Sequence, residues 1–303
     1  MAERVTEQKN EHSINIDEME ALDIVNLMHQ EDQRIHKGIE QALQRIADAV
    51  DLIVTKWRQS GRVFVAGAGT SGRVGVLDAV ELGPTFSVDP DRWIAFVAGG
   101  RQAMWEPLEQ HEDSETNLIN SLEQYNFNSK DVVIGISASG FTPYSVSALT
   151  YARDIGASTI SISCNHETIS SEISDVAIEL VVGPEIIRGS TRLKAGTAQK
   201  MVINMISTAV MVRLGKVYQN EMVDMQLVNK KLMKRAETML TDLTMLPESE
   251  VQQLMMETNQ DIKLSLLIAK TGCDLPQARD TLIQTSGHVK QAIQILAQQN
   301  NNN

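Results

Sequence analysis

The chain has 303 residues, with 27 Lys and Arg against 39 Asp and Glu, a formal net charge of −12 and 42% hydrophobic content. That apolar share over that length buries a full core, with room for one large domain and a small one. The acidic balance and the absence of basic runs argue against nucleic acid or an anionic membrane surface as a partner, although a phosphate can still be held locally by backbone N–H groups and a few placed cations.

The two cysteines, Cys164 and Cys273, are too few and too isolated for a disulfide framework or a metal site. None of the six histidines stands at ligand spacing from another, so no metal is expected. The start of the chain lacks the apolar stretch of a secretory leader, and no later run is apolar for long enough to cross a bilayer. A soluble, cytoplasmic protein is the expectation.

After about fifteen polar residues, Ile16 to Trp57 reads as two helices, with Ile39, Leu43, Ile46, Val50 and Ile53 at helical spacing. From Gly61 the pattern turns to short β-branched runs between glycine-rich turns and amphipathic helices, the mark of βαβ units and a parallel sheet. The predicted strands are Val63–Ala66, Trp93–Val97, Val132–Ile136, Thr159–Ser163 and Ala177–Val182. A long helix is predicted from about Ser190 to Leu214, with Ala195, Ala198, Met201, Val202, Met205 and Ala209 as its apolar face. Past Pro247 the pattern is wholly helical, and Gly272 and Gly287 mark breaks between short helices.

Two loops carry the chemistry. Val63-Phe64-Val65-Ala66 runs into Gly67-Ala68-Gly69-Thr70-Ser71-Gly72-Arg73, a strand, glycine-rich turn and helix start that presents free N–H groups to an anion. A dinucleotide-binding turn or a plain tight turn would look the same, but no Lys-Ser/Thr ending of a nucleotide P-loop follows. The second loop, Ser137-Ala138-Ser139-Gly140-Phe141-Thr142-Pro143 after Val132–Ile136, offers three hydroxyls to one phosphate, from Ser137, Ser139 and Thr142. Serines in turns are commonly caps and turn formers. Two such loops at the carboxyl ends of parallel strands fall where open α/β sheets bind ligands.

At these residues the chain resembles the sugar isomerase (SIS) domain. With Leu77-Asp78-Ala79 and Glu81, Gly183-Pro184-Glu185, and Gly189-Ser190-Thr191-Arg192-Leu193-Lys194-Ala195-Gly196-Thr197-Ala198-Gln199-Lys200, the resemblance narrows to the N-acetylmuramic acid 6-phosphate etherases. Thr6-Glu7-Gln8 with Asn10 and Ser13, and Met222-Val223-Asp224 with Asn229, Lys231 and Leu232, are similar to the same family.

The resemblance implies an α/β fold: an SIS-type parallel sheet flanked by helices in a Rossmann-like three-layer sandwich, with N-terminal helices and a small C-terminal helical bundle. Together with the residue pattern, the expected division is an N-terminal helical segment at 1–60, the SIS phosphosugar-binding domain at 61–235, a ubiquitin-associated-like helical tail at 236–298 and a disordered end at 299–303. It also implies a homodimer with pockets near the subunit interface.

The reaction it implies removes the D-lactyl ether at C3 of an aminosugar 6-phosphate in amino-sugar catabolism and cell-wall recycling. The opened sugar's C1 aldehyde acidifies the C2 proton, a base removes it while an acid protonates the departing C3 oxygen, and water then adds back. No cofactor or metal is called for, only two carboxyl groups of separated pKa. Carried over by the family motif, these are Glu81, the acid toward the lactyl oxygen, and Glu112, the second acid/base group.

Gly69, Thr70, Ser71, Ser137, Ser139, Thr142, Glu185, Ser190 and Lys231 are the candidate substrate- and phosphate-binding residues. Glu185 either holds sugar hydroxyls or caps a helix, Ser190 and Thr191 read equally as an N-cap, and Lys194 and Lys200 as a solvated helix face. Phe141 stands where the family often has arginine, Val80 where it usually has serine, and Leu82-Gly83-Pro84 where it has Cys-Pro-Pro. The alternatives are a sugar-phosphate isomerase on the same fold and a non-enzymatic phosphosugar sensor similar to the glucokinase regulatory proteins. The tail's apolar face, Val289, Ala292, Ile293 and Leu296, suggests packing against a neighbouring subunit.

Overall fold

The structure, a computed structural model, describes residues 4–301, the side chains of 300 and 301 excepted; residues 1–3 and 302–303 lie outside the described residues. Its contacts divide the chain into two compact units, one of residues 1–80 and 90–207 and one of 81–89 and 208–303.

The first unit begins with three 3-10 turns, Val5–Glu7, Glu11–Ser13 and Ile16–Glu18, followed by helix α1 (Ala21–Arg58). The sequence pattern suggests two helices here, but there is one of 38 residues. Gly38 does not break it: a Cβ there would come within 3.0 Å of the Val181 carbonyl oxygen, so the glycine permits close crossing of the chain behind the sheet. Ile39, Ile46, Val50 and Ile53 are buried as expected, while Leu43 is exposed.

Then come β1 (Val63–Gly67), α2 (Gly69–Phe86), β2 (Trp93–Val97), α3 (Asn117–Gln124), β3 (Val132–Ile136), α4 (Pro143–Asp154), β4 (Ser158–Ser163), α5 (Ile169–Glu172), β5 (Val176–Glu179) and α6 (Lys194–Arg213). Helices α2 and α6 run on from the first unit into the second. The last predicted strand differs most: β5 ends at Glu179, and residues 180–193 are irregular.

All strand pairs are parallel, in the order β2-β1-β3-β4-β5. The central strands β1, β3 and β4 are buried along their full length, which explains the near-continuous apolar runs of β1 and β3; β4 alternates Ser or Thr with Ile160 and Ile162. One face packs Phe64 and Val133 against Leu118 and Leu122 of α3 and Leu149 of α4, with the Phe64 and Phe127 rings edge-to-face at 5.0 Å. The chain leaves β1 toward β2 on one side, while β3 lies on the other with Gly67 paired to Ile136. The loops after β1 and β3 therefore open at the switch point of the sheet.

The buried stripe of α6 is Ala195, Ala198, Val202, Ile203, Ile206 and Val210; Met205, expected on the apolar face, is exposed.

The second unit continues with α7 (Lys230–Thr244), α8 (Glu248–Glu257), α9 (Ile262–Thr271), α10 (Leu275–Gln284) and α11 (Val289–Asn301). Three start at side-chain caps: Asn229 accepts from Leu232 N, Asp261 from Leu264 N and Asp274 from Gln277 N. Gly272 ends α9 in the left-handed conformation. Val289, Ala292 and Leu296 are buried in the bundle's own clusters, with Ile293 packed against them. The face expected to meet a neighbouring subunit is thus spent inside the tail. Of the end expected to be disordered, 299–301 belong to α11, and 302–303 lie outside the described residues. Among the described residues no helix is long and apolar enough to cross a membrane.

Candidate active site

Gly69 opens α2 at φ +50°, a left-handed conformation that removes the penalty only for glycine. The space a side chain would take is occupied: a Cβ at Gly69 would meet Glu112 Oε1 at 3.0 Å. The carboxylate of Glu112 is thereby laid against the first turn of α2, where unpaired N–H groups favour negative charge.

Glu112 closes the 3-10 turn Glu109–His111, and its carbonyl accepts from Tyr144 N at 3.0 Å. Tyr144 follows Thr142 at the start of α4, so this hydrogen bond joins the glutamate to the serine loop. Burial pushes the half-buried Glu112 carboxyl above its ordinary pKa; Glu109 and Asp113 push the same way, and Arg73 pulls against them. A cavity of about 310 Å³ lies over this floor, lined among others by Gly69, Thr70, Arg73, Glu112, Ser190 and Arg192.

In the second loop Ser137 Oγ lies 2.8 Å from Thr142 Oγ1 and 3.2 Å from Ser139 Oγ, and accepts the Gly140 N–H at 3.0 Å. Phe141 N donates to Ser139 Oγ. Gly140, at φ +77°, is pressed on Thr168, whose side chain a Cβ would meet at 2.4 Å. Three hydroxyls thus converge on one spot at the N-terminus of α4, satisfied by each other and ready to turn outward to an anion.

Other candidates lie elsewhere. Ser71 is buried and donates to Gln199 Oε1 at 2.8 Å, which joins α2 to α6. Glu185 is 1% exposed, and its two oxygens accept Lys194 N at 3.0 Å and Ala195 N at 2.9 Å. Of the two roles read for it, this geometry is the helix cap; burial pushes its carboxyl up, and the two amides oppose that. Glu81, on the later turns of α2, and Lys231, on the first turn of α7, are both exposed and belong to the second unit.

Lys194 corrects the expectation of a solvated face. It is 1% exposed and donates to Glu31 Oε2 at 2.6 Å, whereas Lys200 is exposed. Glu31, on α1, also receives Asn10 Nδ2 at 2.8 Å and pairs with His12 at 2.9 Å. Burial raises its pKa, but the hydrogen bonds from Lys194, His12 and Asn10 outweigh that and hold it at about 2.

This cluster and Arg73 were missed as site-building residues. The available signal was the N-terminal match at Thr6, Asn10 and Ser13: Thr6 and Asn165 exchange two hydrogen bonds, and Ser13 Oγ donates to Ile186 O. Asp78, from the Leu77-Asp78-Ala79 match, is a buried link that accepts from Asn204 and Ser207 of α6.

Residues 45–153 match the glucokinase regulatory protein N-terminal SIS domain, and residues 123–209 match the SIS domain. A Bacteroides fragilis structure provisionally described as a phosphosugar isomerase involved in capsule formation superposes with a TM-score of 0.50 at 17% identity, over 65% of this chain and 94% of that one, which shows the shared fold. N-acetylmuramic acid 6-phosphate etherase 2 of Bacillus licheniformis is 54% identical over 96% of this chain and 98% of its own length. Etherase 1 of Enterococcus faecalis is 41% identical over 95% and 96%. Similar along nearly its whole length to such relatives, the chain belongs to the N-acetylmuramic acid 6-phosphate etherase family.

Proposed function

We propose that the protein cleaves the lactyl ether of N-acetylmuramic acid 6-phosphate, releasing D-lactate and N-acetylglucosamine 6-phosphate. It is a carbon–oxygen lyase step followed by hydration, in cytoplasmic amino-sugar catabolism. The observation that carries the reading at the site is Glu112, a half-buried carboxyl of raised pKa held against the glycine turn, with the serine loop tied to it through Tyr144.

Ser137, Ser139 and Thr142 take the 6-phosphate at the start of α4. Thr70 and Ser190 line the cavity over Glu112 and meet the sugar there. Glu112 moves a proton in the elimination across C2 and C3, and Glu81 protonates the leaving lactyl oxygen. Lys231 contacts the substrate. We assign Ser71 and Glu185 to support of the site through Gln199 and the α6 amides.

The working molecule in this proposal is a homodimer with its pockets near the subunit interface. Its support is membership of the etherase family, whose resemblance implies a homodimer. A phosphosugar sensor is the second reading, favoured by the regulatory-protein match over residues 45–153; retention of both glutamates weighs against it.

The test is D-lactate release from N-acetylmuramic acid 6-phosphate by wild type, Glu112→Gln and Glu81→Ala. Release by wild type with a loss of about a hundredfold or more in each variant is expected. Phosphosugar binding with no lactate from the wild type would leave the sensor.

A further inference from the structure

The serine loop has hydroxyls and amides but no cation of its own, since residues 137–142 read Ser-Ala-Ser-Gly-Phe-Thr. A phosphomonoester carries a charge of about −1.5 to −2 at neutral pH, which neutral hydroxyls and one helix start balance only in part. The net charge of −12 adds a repulsive field to be overcome locally.

A cation is delivered to the loop from the beginning of the chain. The Arg4 guanidinium carbon lies 3.9 Å from the centroid of the Phe141 ring, and Phe141 is the residue between Gly140 and Thr142. Stacking uses the face of the guanidinium and leaves its edge, where the N–H fork matches a phosphate, free. Among the described residues those N–H groups have no hydrogen-bond acceptor, and the side chain is exposed.

The placement is built. Arg4 caps the turn Val5–Glu7, and Thr6 within it is 3% exposed. Thr6 N donates to Asn165 Oδ1 at 3.2 Å, and Asn165 Nδ2 returns a hydrogen bond to Thr6 Oγ1 at 3.1 Å. The same Asn165 amide donates to the carbonyls of Ala138 and Ser139, at 3.3 and 3.1 Å. One buried asparagine therefore clamps the Arg4 turn and the serine loop together.

We propose that Arg4, stacked on Phe141 and anchored through Thr6 and Asn165, is a phosphate-binding and specificity-determining residue of the serine loop. This rests on the reading of that loop as the phosphate site, not on which reaction follows. Arg4 selects for the charged phosphomonoester over the unphosphorylated sugar, and acts on binding more than on turnover.

The experiment measures the Kd of inorganic phosphate and of N-acetylglucosamine 6-phosphate by calorimetry, with KM and kcat for lactate release alongside. The proteins are full-length wild type, Arg4→Ala, Arg4→Lys and the double variant Arg4→Ala/Phe141→Arg. Arg4→Ala is expected to weaken both ligands and raise KM about tenfold, or about 1.4 kcal/mol, with kcat within about twofold. Arg4→Lys recovers part of this, and Phe141→Arg recovers binding by supplying the charge from the loop itself.

Unchanged Kd values in Arg4→Ala overturn the proposal. So does a weakening that neither Arg4→Lys nor Phe141→Arg relieves, because a merely structural turn would behave that way. A wild type that binds both ligands through Arg4 but releases no lactate would remove the etherase function and keep Arg4 in its role.

Discussion

Glu112 shows how neighbouring residues set the protonation of a single carboxyl. Partial burial raises its pKa first, and Glu109 and Asp113 add like charge. Relative to an ordinary glutamate it keeps its proton to higher pH, so the limb of the rate profile that reports it is displaced upward. Replacing Glu109 by Gln and Asp113 by Asn removes two negative charges, and that limb in kcat/KM is expected to move to lower pH. The direction is the same whether Glu112 acts as acid or base; an acid loses rate above the limb and a base below it. A limb that stays in place in the double variant would mean that another group titrates.

At the scale of elements, α6 is held at its start by two carboxylates that the chain supplies from different places. Glu185 accepts the Lys194 and Ala195 amides, and Glu31 from α1 receives the Lys194 ammonium. With Glu31 lowered from 4.5 to about 2, its ionised form stabilises the fold. That contribution is fully present above the unfolded value of about 4.5 and is lost as pH falls through about 2, and amounts to on the order of 3 kcal/mol. Glu31→Gln leaves Lys194 buried without its counter-charge. A loss of about 3–5 kcal/mol in urea unfolding is expected near pH 7, and the gap to wild type narrows as pH falls below 4.5. A gap independent of pH would show that the pair contributes packing and not charge.

For the whole molecule, the proposed homodimer yields a test that no single-site variant offers. Neither Glu81→Ala nor Glu112→Gln should be active alone. If each pocket draws one glutamate from each subunit, mixed dimers rebuild one intact pocket, and an equal mixture after subunit exchange should regain about a quarter of wild-type activity. No recovery, with exchange shown by mass measurement of mixed dimers, would place both glutamates of a pocket on one chain.

Much of the first unit was legible in sequence because its signals are local. Continuous β-branched runs bounded by glycine are what a doubly covered parallel sheet requires, and β2 and β3 fall where the pattern puts them. The glycine turn was legible too, since only glycine tolerates both the φ of residue 69 and the nearness of Glu112. What the pattern missed depends on contacts distant along the chain. α1 is one helix and not two, and passes through Gly38 where Val181 lies close; Lys194 lies buried because Glu31 arrives from α1.

By itself the sequence determined the parallel α/β architecture, the glycine-rich and serine-rich turns after β1 and β3 and, through the etherase motifs, the family, because each is written in contiguous residues. Only the tertiary structure decided that Glu185 caps α6, that the tail's apolar face is used within its own bundle, and that Arg4 stands over the serine loop. Those outcomes turn on which distant group reaches a buried polar atom or an open face first, and spacing along a chain does not record that.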